Sequence, residues 1–226
     1  MRGSLSVLRL MICFLAGIAL LGPGRVLAEQ ELTVSAAASL TNAFPEIGKK
    51  FESANPGTKV IFNFAASGPL LQQIEQGAPV DVFASADQKT MDQAKEKNLV
   101  LNESRKNFVS NKLVLIVPAA SKLALTGLEG LKGKHIGKIA LGKPETVPVG
   151  RYTKEVLTAE GLWDELAPKF IPGDSVRQVL DYGSRAEVDA GFVYSTDADP
   201  VKAKGHIVAT MEEHQPMLYP IAIVKT

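Results

Sequence analysis

The sequence predicts an α/β protein of two lobes, each a mainly parallel sheet flanked by helices. Three observations lead there. Short β-rich runs alternate with amphipathic helical runs along the chain. Strand–helix–strand units at this spacing need right-handed crossovers, which build parallel sheets. Two interruptions, at residues 107–118 and 195–205, split the alternation into two blocks and read as crossings between lobes.

In the first block, residues 31–37 read as a strand. Residues 42–53 read as a helix with Ala43, Phe44, Ile47 and Phe51 on one face. Pro45 lies near its start, where a continuous helix would lose a hydrogen bond at roughly 3 kcal/mol. Either the first turn is irregular or the helix begins near Phe44. Residues 59–64 are the next strand. Residues 68–76 form a helix with Leu70, Leu71 and Ile74 inward, stopped by Gly77. A third strand, 80–84, and a third helix, 88–97, complete the block.

The nearly pure apolar run 112–117 ends at Pro118. The second block then gives strand 139–142, helix 151–159, strand 169–171, helix 175–183 and strand 190–194. Residues 207–209 and 218–224 are strand-like. No repeat or low-complexity tract interrupts the chain.

Composition narrows the function. The 226 residues carry 25 basic and 24 acidic side chains, a net charge of +1, so no bulk field attracts nucleic acid. Hydrophobic residues at 46% and charged residues at 22% exclude disorder, collagen and coiled coil. Arg2 and Arg9 precede an apolar run from Leu10 to Leu21, followed by Gly22-Pro23-Gly24 and Val26-Leu27-Ala28. This is a secretory signal peptide with cleavage expected after Ala28. The apolar run is too short for the roughly 20 residues of a membrane span. A lipoprotein cut at Cys13 fits poorly, because Ile12 before it is bulky. Removing 1–28 takes away Arg2, Arg9 and Arg25 and no acid, leaving 22 basic against 24 acidic residues, or −2. It also removes Cys13, the sole cysteine. Disulfides, thiol catalysis and thiolate metal sites are thereby excluded from the mature chain. His135, His206 and His214 lack metal-ligand spacing, and the latter two read as surface-loop residues.

Ligands of open α/β sheets bind beyond the carboxyl ends of the strands. Here those ends carry Ala36-Ala-Ala-Ser39, Ala65-Ala-Ser67-Gly-Pro, Val147-Pro-Val149-Gly150, Gly173-Asp-Ser-Val176 and Tyr194-Ser-Thr. Ser39 and Ser67 sit at strand-to-helix junctions among tiny residues. Such junctions offer free N–H groups and the positive end of a helix dipole, which bind anions without a formal positive charge. The residues alone leave two roles open for these serines: helix caps, or donors to an anion. Nucleophilic catalysis fits poorly, since neither serine lies in Gly-x-Ser-x-Gly and no histidine is near a strand end. Asp81 and Asp87 read as capping and loop residues. Lys143, Arg151, Arg177 and Arg185 read as solvated helix residues, and Trp163 as buried packing.

Four segments then carry a resemblance: Ser35-Ala-Ala-Ala-Ser39-Leu-Thr-Asn42, Gly77-Ala-Pro-Val-Asp-Val-Phe-Ala-Ser-Ala-Asp-Gln88, Gly142-Lys-Pro-Glu-Thr-Val-Pro-Val-Gly150 and Gly191-Phe-Val-Tyr194. In this order they resemble the periplasmic molybdate-binding proteins of bacterial ATP-driven importers. The resemblance implies a type II-like periplasmic binding protein with its ligand in the interlobe cleft. It divides the chain into signal peptide 1–28, lobe 1 at 29–112 plus 205–226, and lobe 2 at 113–204.

The resemblance further implies that molybdate or tungstate is held by neutral donors only. Ser39 and Ser67 would each give a hydroxyl and a backbone N–H. Val149, where relatives often carry Ala, and Val176 would each give a backbone N–H, and Tyr194 its phenol. No cofactor and no directly coordinated metal is expected. The expected partners are the oxyanion and a membrane permease with its ATPase, for a monomeric, periplasmic, non-enzymatic receptor. Alternatives are a receptor for another oxyanion such as sulfate, a secreted serine hydrolase using Ser39 or Ser67, or a degenerate chain that binds nothing. Relatives usually continue past the strand at 219–224 with a helix or two that return to the first lobe. The first lobe is therefore expected to lack part of its cover and to expose an apolar strip.

Overall fold

The computed structural model describes residues 30–123, 125–198, 205–211 and 214–225. The expected signal peptide and its cleavage site lie outside these residues. The first lobe holds strands β1 (Gln30–Ala37), β2 (Thr58–Ala65), β3 (Val82–Ala84), β4 (Lys106–Ser110) and β10 (Leu218–Ile223), in the order β2-β1-β3-β10-β4. The second holds β5 (Leu113–Pro118), β6 (Ile139–Gly142), β7 (Phe170–Gly173), β8 (Ala190–Tyr194) and β9 (Gly205–Thr210), in the order β7-β6-β8-β5-β9. Helices α1 (Ala43–Ala54), α2 (Ser67–Glu75) and α3 (Gln88–Glu96) belong to the first lobe. Helices α4 (Pro148–Ala159), α5 (Trp163–Leu166), α6 (Val176–Ser184) and α7 (Ser195–Ala198) belong to the second.

Each sheet is mixed. β1 pairs parallel with β2 and β3, and β6 pairs parallel with β7 and β8. β10 and β5 enter antiparallel to β3 and β8, and each carries a further antiparallel edge strand, β4 and β9. The parallel cores follow from the strand–helix–strand alternation. The antiparallel additions come from strands next to the crossings, where the chain changes lobe and returns in the opposite sense.

Two boundaries move. The interruption read at 107–118 contains an edge strand, β4, and the first crossing shrinks to Asn111 and Lys112. The segment 205–226 does not lie wholly in the first lobe, because β9 pairs with β5 from Val114↔Thr210 to Pro118↔Gly205. The second crossing therefore follows β9 and ends before β10. His206 accordingly lies on an edge strand, exposed, and not in a loop.

Helix α1 also turns a different face inward. Phe44 and Gly48 are its buried residues, whereas Ile47 is 56% and Phe51 43% exposed. Gly48 explains the rotation: a Cβ there would come within 2.8 Å of the Phe62 ring, so the helix backbone lies directly on β2. Glu52 continues that stripe and accepts the Val60 N–H at 2.8 Å. Pro45 falls in the first turn of α1, where its missing N–H has no intrahelical acceptor to lose. A separate 3-10 turn, Ala38–Leu40, precedes it and makes the local chain irregular. Trp163 is only half-buried: its ring lies 4.7 Å from Phe170, with the Lys154 ammonium 5.3 Å over it.

One apolar cluster runs from the second sheet through the cleft to Val34, Ala36 and Phe44 of the first lobe. A second, smaller one lies under α2 and α3, around Leu70, Phe83 and Met91.

Candidate functional site

Four chain turns point at one spot between the lobes. The 3-10 turn after β1, the start of α2 after β2, the start of α4 after β6 and the start of α6 after β7 all lie at carboxyl ends of strands. They surround a narrow void of about 10 Å³, lined among others by Ser39, Ser67, Val149, Val176 and Tyr194. All five residues expected from the sequence are thus brought together. The void is smaller than the roughly 300–1,000 Å³ of pockets for drug-sized ligands. Its lining holds no Asp, Glu, Lys, Arg or His.

The walls are donor-rich for a local reason. Ser67 and Val176 are first residues of their helices and Val149 is second in its own. Ser39 is the middle residue of the 3-10 turn. First-turn N–H groups have no intrahelical acceptor, and the helix dipole adds partial positive charge there. Ala37, Ala38, Ala66 and Ala86 keep the walls thin enough for backbone N–H groups to reach the void.

The hydroxyls are arranged in the same sense. Ser67 Oγ accepts the Ala86 N–H at 3.0 Å, which leaves the serine proton free to point elsewhere. Ser39 Oγ lies 3.1 Å from the Tyr219 hydroxyl. The Tyr194 hydroxyl is fully buried and has no protein partner among the described residues. A buried phenol ordinarily finds one, so this group is placed to donate to something in the void. Burial pushes its pKa well above the ordinary value of 10, so it remains a donor. Neither serine acts as a cap: the turn at Ser39 and the helix at Ser67 have no side-chain cap bond.

Charges stand outside this lining and are paired. Arg151 and Arg177 are not solvated, contrary to the reading above. Arg151, on α4, donates through Nε to Asp87 Oδ2 at 2.7 Å and through Nη2 to Thr90 Oγ1 at 2.8 Å, both across the cleft. Asp87 meanwhile caps α3, accepting the Thr90 N–H at 3.1 Å. Arg177, on α6, reaches the carbonyls of Ala38 and Ser39 at 3.3 Å each. Its Nε also lies 3.0 Å from Asp197 Oδ1. The guanidinium N–H is aimed at the carbonyl, so neither Asp197 oxygen has an aligned hydrogen bond among the described residues. Burial accordingly pushes Asp197 up to about 6, with Arg177 pulling it partly back. Lys143 pairs with Asp174, Arg185 faces Glu187 at 4.0 Å, and Asp81 accepts the Thr33 N–H at 2.7 Å.

The lobes are closed on each other. Besides the arginine contacts, the Gly68 N–H donates to Thr146 O at 3.1 Å across the cleft. Asn111, Tyr219, Arg151 and Arg177 were not legible as site-building residues. Each acts through a partner distant in sequence, such as the 180-residue separation of Ser39 and Tyr219. Among the described residues, no group of three or more His, Cys, Asp and Glu side chains could hold a metal ion.

Two sheets joined by two crossings, closed over a small donor-lined void, define a clamp-type solute receptor. The chain belongs to the bacterial extracellular solute-binding protein family, whose profile matches residues 32–226. It is 42% identical over 215 residues to the molybdate-binding protein ModA of Escherichia coli K12, covering 89% of this chain and 80% of that one. Among solved structures, a substrate-binding domain of a putative molybdenum ABC transporter from Clostridium difficile is 39% identical, with a TM-score of 0.63, covering 86% of this chain and 85% of that one. The Azotobacter vinelandii periplasmic molybdate-binding protein is 27% identical, with a TM-score of 0.75 and 86% of each chain covered.

Proposed function

We propose that this chain is the extracytoplasmic receptor of an ABC importer and that it captures molybdate or tungstate in the interlobe void. The observation that carries this reading is the lining: a small void between the lobes, walled by donors, with the Tyr194 hydroxyl lacking a hydrogen-bond partner among the described residues. Ser39 and Ser67 offer a hydroxyl and an N–H each, Val149 and Val176 an N–H each, and Tyr194 its phenol. Hydrogen bonds to a charged group contribute roughly 1.5–3 kcal/mol each, so these donors together give about 10–20 kcal/mol gross. Lost ligand freedom and lobe ordering take several kcal/mol back. The remainder corresponds to affinity of micromolar to nanomolar order, about 8–12 kcal/mol.

The lining also supports a selectivity. A protonated oxyanion must donate its own hydrogen bond, and donor-only walls give it no acceptor. Fully deprotonated dianions are favoured over hydrogen phosphate. Sulfate is a dianion too, and size alone would reject it. The chain acts as a receptor and not a catalyst: the serine hydroxyls face Tyr219 and the Ala86 N–H, with no general base beside them. It works as a monomer and hands its ligand to a membrane permease served by an ATPase. No resident cofactor takes part.

Calorimetric titration at neutral pH with molybdate, tungstate, sulfate and phosphate tests the proposal. Binding of the first two and rejection of phosphate are expected. Absence of heat with both molybdate and tungstate would overturn it. Replacing Ser39 and Ser67 together by Ala should abolish binding while leaving the melting temperature nearly unchanged.

A further inference from the structure

Resting on the oxyanion reading above, we propose that Asn111 and Tyr219 are positioning residues: they form a one-way hydrogen-bond relay that aims the Ser39 hydroxyl proton into the void.

The Ser39–Tyr219 contact, 3.1 Å between two hydroxyl oxygens, has no direction of its own. The direction is fixed two residues away. The backbone N–H of Lys112 donates to Asn111 Oδ1 at 2.9 Å. A backbone N–H can only donate, so the oxygen of the Asn111 amide must face it. The amide nitrogen therefore faces the other way, donating to Thr196 Oγ1 at 2.8 Å and to the Tyr219 hydroxyl at 3.2 Å. Both amide protons are then engaged. An amide nitrogen has no lone pair to offer, so the Tyr219 oxygen accepts there. The buried Tyr219 proton then needs an acceptor, and Ser39 Oγ is the one within hydrogen-bond distance among the described residues, so the Ser39 proton turns away from Tyr219 toward the void.

Ser67 reaches the same state in one step, because the Ala86 N–H occupies one lone pair of its oxygen and leaves the hydroxyl proton for the void. The two serines are thus made donors by different means. For Ser67 the backbone suffices, whereas Ser39 depends on two side chains. Tyr219 is 1% exposed, and burial holds its phenol protonated well above the ordinary range. Chains of hydrogen bonds that run in one sense polarise each other, which strengthens the last donor. Asn111 lies in the crossing between β4 and β5 and also accepts the Ser195 hydroxyl at 3.1 Å, so the relay starts at the joint between the lobes.

The relay is tested with molybdate calorimetry on the full chain. Tyr219→Phe should lower molybdate affinity about tenfold and narrow the preference for molybdate over phosphate, since a released Ser39 hydroxyl can accept as well as donate. Asn111→Asp puts an acceptor opposite Tyr219, reverses the relay and should cost about a hundredfold. In the Tyr219→Phe background the same Asp should cost tenfold or less. An equal Asn111→Asp penalty in both backgrounds would show an effect of charge at a distance and overturn the relay. So would Tyr219→Phe binding within twofold of wild type. Asn111→Leu, which removes the donor without adding charge, provides a second variant should the Asp variant melt early; it should weaken binding several-fold, and unchanged binding overturns the relay. A wild-type chain that does not bind molybdate at all would instead refute the functional reading.

Discussion

The two lobes build the same cavity from unequal materials. In the second lobe, β5, β6 and β8 are buried from end to end. In the first, β1 is exposed at Gln30 and buried only over its last four residues, and β2 is nowhere fully buried. Ile47, Phe51, Ile61, Val109 and Ile223 are all exposed on the first lobe, against Ile207 on the second. Yet Ala36, Ala37 and Ser67 are as buried as their counterparts across the cleft. Apart from the cluster under α2 and α3, burial along β1 and β2 therefore follows the site and not the sheet. The first lobe's cavity wall gains shelter from the opposite lobe, and opening should loosen the first lobe more than the second.

Two glycines probe that difference most sharply. A Cβ on Gly150 would sit 1.9 Å from Gly142 O, inside the second lobe. Gly150→Ala should therefore break the packing of α4 on β6, at roughly 3 kcal/mol or more. Thermal melting should fall by about 10 °C. A Cβ on Gly68 would sit 2.5 Å from Thr146 O, but that carbonyl belongs to the other lobe. The lobes can part to relieve it. Gly68→Ala should weaken molybdate binding at least tenfold while the melting temperature of the unliganded chain moves by no more than about 2 °C. A large melting loss at Gly68 would show that the lobes are one rigid unit.

A smaller effect is expected from pH. Asp197, buried beside Arg177, titrates at about 6 against an ordinary 3.8. Its folded-state value is raised, so between these pH values the folded chain binds more protons than the unfolded one. This group's contribution to stability thus falls as pH rises from about 4 to about 6. The change in denaturant stability across that window, measured for wild type and Asp197→Asn, should differ in that sense. Parallel profiles would contradict the assignment. The smallest effect should come from the exposed face of α1 in the first lobe. Phe51→Gln on α1 should change stability by less than about 0.5 kcal/mol, whereas Leu141→Ala in β6 should cost roughly 2–5 kcal/mol.

The sequence was legible where local rules decide. Alternating runs located the parallel strands and their helices, and strand ends rich in Ala singled out Ser39 and Ser67, whereas Val149, Val176 and Tyr194 came from the resemblance. It was illegible where a partner elsewhere in the chain decides. The apolar spacing of α1 suggested Ile47 and Phe51 inward, but the close approach at Gly48 turned Phe44 and Gly48 onto the sheet. The run at β9 is apolar enough for either sheet, and only its pairing with β5 assigned it. Arg151 and Arg177 read as solvated until Asp87 and Asp197 were brought beside them by the fold. Tyr219 carried no local signal at all, since its role depends on Ser39 at the other end of the chain.

The central claim is that both lobes hold one oxyanion in the void between Ser39, Ser67 and Tyr194. A crystal structure of the chain grown with tungstate, with anomalous data at the tungsten edge, tests it most directly. The account predicts a single strong tungsten peak in that void, its oxygens within about 3 Å of both serine hydroxyls and the Tyr194 phenol. A peak at the surface, or at a site built by one lobe alone, would contradict it.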